Sequence, residues 1–534
     1  MRHAPGVFAA FLNWRALLAL LAGLAQAASL AWPSVLPGWL ERALQLMPGQ
    51  PVWWLQLLAL GALAWLLSDC QARQPQAWRQ AAGLAGLFAL AWLAGAFGWI
   101  YVALHTYGQL NAWLAALAAL VLPALLALYY ALAAALWLLC APTHKAAQAL
   151  LFAAFWALAE LMRAQLFSGF AWGAVGYAHT AGPLAAYAPW VGVYGLCAIS
   201  AWLAMTLAHG VQATAWRQRF VCAGWLAGVL GLAGLGQLFA PSFTAASGNL
   251  SVTLLQGNIP QDEKFAPDSG VALALRWYAE QFNASQTELV IAPETAIPLL
   301  PQALPPAYWQ ALRDRFSQGE QAALLGVPMG DMQTGYTNSV VGFKPGSTWR
   351  YDKHQLVPFG EFIPPWFKWF TNLLSIPLSD FNQGARGQAL FDWRGQKIAA
   401  NICFESLFSE QLAAAFSHTA QAPTLFVNVS NLAWFGHSLA MEQHLQIARM
   451  RALEFERAFV LATNTGLSAM VNAQGQVIAL APRDVRTTLV GVVQGRVGRT
   501  PYAWWSSQWG LWPLQGAALA VIAASLWWRW RQRA

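Results

Sequence analysis

Acidic residues are almost missing from the first half of this 534-residue chain: of 22, only Glu41, Asp69 and Glu160 precede residue 247. Charge is scarce overall, at 10% of residues against about 25% in soluble domains, while 58% are hydrophobic and 31 are tryptophan. That balance excludes an ordinary soluble protein. The scarcity is local, because the other nineteen acidic residues fall between Asp262 and Asp484. A membrane region followed by a soluble domain of about 250 residues, large enough for its own core, is the expected division. Cysteine is scarce too. Cys70, Cys140, Cys197 and Cys222 lie in or beside apolar segments, so Cys403 has no disulfide partner within the soluble part. No clustered His/Cys spacing suggests a metal site, and no cofactor is expected.

Seven apolar stretches precede the soluble part, at 15–32, 52–68, 81–105, 112–140, 146–166, 188–208 and 220–240, and an eighth follows at 509–528. Each is near or above the ~18–20 residues that a membrane-crossing helix needs. The stretch 112–140 is long enough to be tilted, or broken at Pro123. Ala-Gln-Ala-Ala after the first stretch imitates a cleavage site, but the succeeding spans favour a retained first helix. With Arg2 in the cytoplasm, the cytoplasmic connections hold Arg73, Arg79, Lys145, Arg217 and Arg219, and the tail adds Arg529, Arg531 and Arg533. The opposite loops hold only Arg42. Basic residues mark the cytoplasmic side, so an odd number of crossings places 247–505 outside the cytoplasm with both termini inside. The expected organisation is 1–246 with seven helices, 247–505 as an extracytoplasmic domain, and 506–534 as an eighth helix with a basic tail. The net charge of +8 is mostly this topology signal, so nucleic-acid binding is not expected.

Within 247–505, short β-branched runs alternate with helical patterns. Expected strands are 250–256, 288–292, 322–327, 339–343, 397–403, 424–429, 459–463 and 487–493, and expected helices are 269–283, 306–316, 407–416 and 441–455. Buried strands mixed with helices predict a layered α/β domain. Asn472-Ala-Gln-Gly475 reads as a hairpin turn.

Cys403 ends the apolar run of Ala-Ala-Asn-Ile-Cys-Phe-Glu-Ser (399–406), just before a helix-like stretch. A thiol at a strand-to-helix turn faces helix amides that favour its thiolate, and a thiolate can attack a carbonyl and hold the acyl group. The plainer reading is a small buried hydrophobe, which most free cysteines are. Glu294 emerges after Leu-Val-Ile in Ala-Pro-Glu-Thr (292–295), suiting a general base with a pKa raised by burial, or merely a cap. In Tyr-Asp-Lys-His-Gln-Leu-Val-Pro-Phe-Gly-Glu (351–361), Lys353 can stabilise an oxyanion and Glu361 can orient Lys353; a solvated charged face is the alternative. Glu405 stays open between helix cap and catalytic support. His354 points away from Lys353 if the segment is extended.

Glutamate, lysine and cysteine in this order resemble the nitrilase, or carbon–nitrogen hydrolase, superfamily. With seven spans before and one after, the chain more closely resembles the apolipoprotein N-acyltransferase family of bacteria. Further matching stretches are Leu-Gln-Gly-Asn-Ile-Pro-Gln (255–261), Asn-Val-Ser-Asn-Leu-Ala-Trp-Phe-Gly (428–436) and Gln-Ile-Ala-Arg-Met-Arg-Ala-Leu-Glu (446–454). Glu160-Leu-Met-Arg163 and the Gly169–Gly176 stretch fit within the membrane part. The resemblance implies a nitrilase α-β-β-α sandwich on the periplasmic side of a bacterial inner membrane. It implies Glu294 as base, Lys353 as oxyanion-stabilising cation and Cys403 as acylated nucleophile, with Glu361 and Glu405 supporting. The implied donor is a membrane phospholipid such as phosphatidylethanolamine, and the implied acceptor is the α-amino group of a diacylglyceryl apolipoprotein. The expected protein is a monomer. Three positions depart from the family pattern: Phe404 replaces a frequent tyrosine, Phe265 falls near an expected tryptophan, and Leu432 replaces a frequent aspartate.

Lipid substrates demand a site near the bilayer, since drawing a chain of about 16 carbons into water costs roughly 12 kcal/mol at ~0.8 kcal/mol per CH₂. The apolar stretch 359–381, with Phe359 and Trp366, and the pair Trp434-Phe435 are expected to form interfacial loops, with Phe265 and Phe404 lining the lipid path. The alternative for 359–381 is a buried core segment. Glu160 and Arg163 lie at i and i+3 in one span, where an internal ion pair is simpler than headgroup recognition. Two rival functions remain at this point: a membrane-tethered amidase, which would use water as acyl acceptor, and a non-enzymatic scaffold or transporter, which would not need Cys403.

Overall fold

A computed structural model describes residues 13–71, 77–239, 241–331, 333–363 and 381–533. Two compact units emerge, one comprising the chain up to Tyr101, Leu110–Pro241 and Trp509 onward, the other Val102–Gln109 and Ser242–Gln508. The boundary expected at residue 247 thus falls inside a strand, and eight residues between two apolar helices join the second unit.

The first unit is helical. Its main helices are α1 (Trp14–Leu30), α2 (Trp53–Gln71), α3 (Ala77–Ala96), α4 (Ala112–Cys140), α5 (Lys145–Gln165), α6 (Ala188–Gln212), α7 (Trp216–Phe239) and, at the chain end, Trp512–Arg533. Every expected apolar stretch carries one. Among the described residues five helices are long and apolar enough to cross a membrane, or seven if each of two bent pairs makes one span, and Trp14–Leu30 is shorter. Pro123 does not break α4, which runs through it for 29 residues. The stretch 81–105 does break: α3 and Trp99–Tyr107 meet at 52°. Asn13 starts α1 by accepting bonds from the Arg15 and Ala16 amides at 3.0 Å, satisfying two of the donors that a helix start leaves open.

The one acidic residue of α5, Glu160, is buried and paired with Arg163. Arg163 donates to Glu160 at 2.6 Å, to the Tyr130 hydroxyl at 3.0 Å and to the carbonyls of Phe170 and Trp172 at 2.8 and 2.7 Å. The arginine therefore supplies the hydrogen bonds that an irregular loop needs where water is excluded.

The second unit holds two six-stranded sheets, ordered β12-β1-β2-β3-β4-β5 and β11-β10-β9-β8-β7-β6. The strands of the first are β1 (Thr244–Gln256), β2 (Leu289–Ile291), β3 (Ala322–Asp331), β4 (Gly335–Lys344), β5 (Ser347–Asp352) and β12 (Thr487–Gly498). Those of the second are β6 (Phe391–Trp393), β7 (Gln396–Ile402), β8 (Leu425–Ser430), β9 (Ala458–Thr463), β10 (Ala469–Val471) and β11 (Val477–Leu480). In each sheet a parallel trio, β1-β2-β3 or β7-β8-β9, is flanked by antiparallel strands. Leu250, Val252, Leu254, Leu289 and Ile291 of one sheet pack with Ile398, Ile402, Val427 and Val460 of the other. The opposite faces are also buried. Leu255 and Val290 pack on helices Ala272–Ala284 and Pro306–Ser317, while Phe426, Phe459 and Leu461 pack on Ala440–Phe455. Strands covered on both faces read as continuous apolar runs, and each fully buried large side chain contributes about 1.5–3 kcal/mol. The layers are helix, sheet, sheet, helix.

Two local features differ from the reading of the sequence. The helix at 407–416 is a five-residue 3₁₀ turn, Cys403–Leu407, followed by the short helix Ser409–Ala414. The polar strand β5 gave no apolar signal, yet it pairs with β4 along its whole length.

Candidate active site

Chemistry gathers at the carboxyl ends of the parallel strands, the end where open α/β sheets place their sites. Glu294 sits three residues beyond β2, in a turn where Thr295 has φ +49°. Gly326 on β3 makes room for that turn, since a Cβ there would meet the Pro293 carbonyl at 2.4 Å and the Glu294 Cα at 2.7 Å. Lys353 directly follows β5, its amide bonded to the Asn338 carbonyl at 2.8 Å. Cys403 directly follows β7 and is held at φ +50°, a conformation uncommon outside glycine and typical of strained functional positions.

Glu294, Lys353 and Glu361 share one hydrogen-bonded cluster, and the Cys403 thiol feels the charge of all three. Lys353 Nζ donates to Glu361 Oε1 at 2.8 Å and to Glu294 Oε1 at 3.3 Å. Asn338 Nδ2 donates to the same two oxygens at 2.8 and 2.7 Å. The Asn431 amide, just after β8, donates to Glu294 Oε2 at 2.9 Å and also faces the Cys403 sulfur. Glu361 Oε2 accepts the Val357 amide at 2.9 Å, so this carboxylate both anchors its own turn and orients Lys353.

Electrostatics assign the protons. Burial and then Glu294 push the Cys403 thiol well above its ordinary value, against the pull of Lys353. This corrects the expectation that helix amides hold a thiolate: the turn after Cys403 is too short, and the resting form is the thiol. Burial alone would lower Lys353, but Glu361 and then Glu294 outweigh it and keep the ammonium charged. The sulfur needs a base, and Glu294 is the carboxylate that shares the Asn431 amide with it.

Glu405 acts as a brace. It accepts the amides of Ile402 and His354 at 2.7 Å and of Gln355 at 3.0 Å, and the Tyr351 hydroxyl at 2.9 Å. These bonds tie the segment carrying Lys353 to the turn carrying Cys403. Burial raises the Glu405 carboxyl, with the Ile402 and Gln355 amides opposing. His354 is committed elsewhere, its Nδ1 on the Gly384 carbonyl at 2.7 Å.

The aromatic residues divide. Phe265, Phe359 and Trp434 are 58%, 46% and 43% exposed, and Trp434 packs edge-on against Tyr107 at 5.5 Å. Phe435 is half-buried against the core beneath Ala440–Phe455. Phe404 is 5% exposed and packs on Phe408 at 5.2 Å, so it faces the interior rather than the surface expected of an interfacial side chain. Trp366 lies outside the described residues. Leu432 is buried among apolar side chains, a place unsuited to the aspartate it replaces.

Sequence reasoning missed three contributors. Asn338 and Asn431 act through a mid-strand side chain and a backbone amide, which leave no pattern. Lys264 is buried and donates to the Glu294 carbonyl at 3.2 Å. Its place three residues after the stretch 255–261 was the available signal, masked by the neighbouring Asp262 and Glu263.

Comparison with known proteins agrees with this geometry. The model of the apolipoprotein N-acyltransferase N-terminal domain matches residues 42–206, and that of carbon–nitrogen hydrolase matches 251–502. An apolipoprotein N-acyltransferase from Verminephrobacter eiseniae is 51% identical over 94% of this chain and 94% of its own. The chain belongs to the apolipoprotein N-acyltransferase family. Another member, from Ralstonia nicotianae, is 42% identical over 89% of each chain. This family member is therefore an acyltransferase with a carbon–nitrogen hydrolase catalytic domain and a membrane-type helical unit.

Proposed function

We propose that the chain transfers an acyl chain from a membrane phospholipid to the free α-amino group of the N-terminal diacylglyceryl-cysteine of apolipoproteins, giving triacylated lipoprotein. The convergence of Glu294, Lys353 and Cys403 in one cluster carries this reading. Glu294 takes the proton of the Cys403 thiol, and the sulfur attacks the ester carbonyl of the donor. Lys353 Nζ meets the oxyanion that develops, in a site with little water to compete. The carbon–oxygen bond breaks, protonated Glu294 gives its proton to the departing lysophospholipid oxygen, and a thioester remains. The acceptor amine attacks that thioester while Glu294 takes an amine proton. The carbon–sulfur bond then breaks and the thiol is restored. Eight crossings, with the catalytic domain on the periplasmic side of the inner membrane and both termini cytoplasmic, would present this chemistry where both lipid substrates lie. Exposed Phe265, Phe359 and Trp434 would serve as the interfacial side chains.

Purified protein incubated with phosphatidylethanolamine should gain one acyl adduct, on Cys403, measured by mass spectrometry and discharged by a diacylglyceryl peptide with a free amine. Cys403→Ala should abolish the adduct and Cys197→Ser should not. Discharge by water alone would favour a hydrolase, and an adduct on Cys403→Ala protein would end the proposal.

A further inference from the structure

Two carboxylates, Glu294 and Glu361, share one ammonium group, Lys353. A buried excess of negative charge opposes any step that makes a nearby sulfur anionic. The chain supplies a second cation. We propose that Lys264 is a positioning residue whose ammonium holds the Glu294 turn in place and favours the Cys403 thiolate, so that passing a proton from sulfur to carboxylate leaves the cluster balanced.

The placement of Lys264 is specific. It is 2% exposed, while its neighbours Asp262, Glu263 and Phe265 are exposed. A lysine without a role sends its head group to water along a long flexible stem, whereas this one ends on the Glu294 carbonyl at 3.2 Å. Its segment is clamped on both sides. Gln261 accepts from Asn431 Nδ2 at 2.7 Å, and Gly270 lies so close that a Cβ there would approach the Lys264 Cα to 2.9 Å. The charged groups that act on Lys264 are Glu294, beyond β2, and Cys403, beyond β7. Lys353 pairs with the Glu294 carboxylate and with Glu361, whereas Lys264 donates to the Glu294 backbone carbonyl.

Burial lowers Lys264 to about 8, with Glu294 and Cys403 opposing. The group is therefore an ammonium below that pH and neutral above it. Its support of the thiolate is present at neutral pH and fades as pH rises through about 8. The inference shares its nucleophile and base with the function proposed above, but the proton transfer is testable without any lipid. In the full-length protein in detergent, the rate of Cys403 alkylation by iodoacetamide is followed by mass spectrometry of the Cys403 peptide, from roughly pH 6.5 to 9.5, spanning the ordinary thiol range. Lys264→Met should react about tenfold more slowly than the parent near neutrality, the loss expected for one pKa unit on the thiol, and the gap should close at the alkaline end. Lys264→Arg should react at the parental rate near neutrality and exceed it at the alkaline end, because arginine stays charged. Alkylation of Lys264→Met within twofold of the parent near neutrality, or a deficit constant across the range, would overturn the inference. Should Lys264→Met not fold, superimposable profiles for Lys264→Arg and the parent would overturn it alone. Parental protein that shows the alkylation profile yet takes no acyl group from phosphatidylethanolamine would refute the proposed function and leave this inference standing.

Discussion

Both units bury ions, but they use them differently. In the helical unit, Arg163 spends its donors on Glu160, Tyr130 and two loop carbonyls. Two of those bonds go to backbone carbonyls, so the charge holds a loop in place. In the catalytic unit, Glu294, Glu361, Lys353, Lys264 and the Cys403 thiol lie within one network. There the groups oppose and support one another's charge, and a proton can move. Buried charge is structural where every partner is fixed, and chemical where one partner is an acid that can let go.

Removing one cation from each unit breaks this contrast most sharply. Lys353→Met should lower acyl-adduct formation by about 10²–10³, the loss expected when an oxyanion donor is removed, and should also lower the thermal midpoint, because it leaves Glu294 and Glu361 without their ammonium; adduct formation near the parental rate in the folded fraction would make Lys353 structural. Arg163→Met should cost about 3–5 kcal/mol, because it strands a buried carboxylate, read as a lower midpoint and faster proteolysis around Phe170. Cys403 alkylation in the surviving folded protein should stay near the parental rate. The smallest effect belongs to Phe404→Tyr. Its ring is buried on Phe408, so a hydroxyl there should cost about 1–3 kcal/mol of stability and leave the adduct rate within severalfold; a large gain in rate would return this position to the reacting groups.

The order Glu294, Lys353, Glu361, Cys403 was legible because each stands at the end of an apolar run or beside a shaped turn. The apolar stretches of the first unit were legible from length alone, although the bend between Ala96 and Trp99 was not, since it changes direction without changing composition. Lys264 escaped because Asp262 and Glu263 make its neighbourhood read as surface. Phe404 was misplaced for a geometric reason. A side chain beside a nucleophile at a strand end is expected to share its space, but Phe404 is buried against Phe408 instead. Glu405 read as a cap, and it does accept the Ile402 amide; its other partners, at Tyr351, His354 and Gln355, are some fifty residues away.

One backbone hydrogen has an unusual position. The amide of Asn431 donates to Glu294 Oε2, and the same amide favours the Cys403 thiolate, against the burial that raises the thiol. In the proposed transfer the carboxylate would become a carboxylic acid and its hold on that hydrogen would slacken as the sulfur gains the electrons to attract it. The swap belongs to the main chain, so exchanging side chains at position 431 leaves it intact. Only a proline, or an ester in place of the peptide link, would silence it.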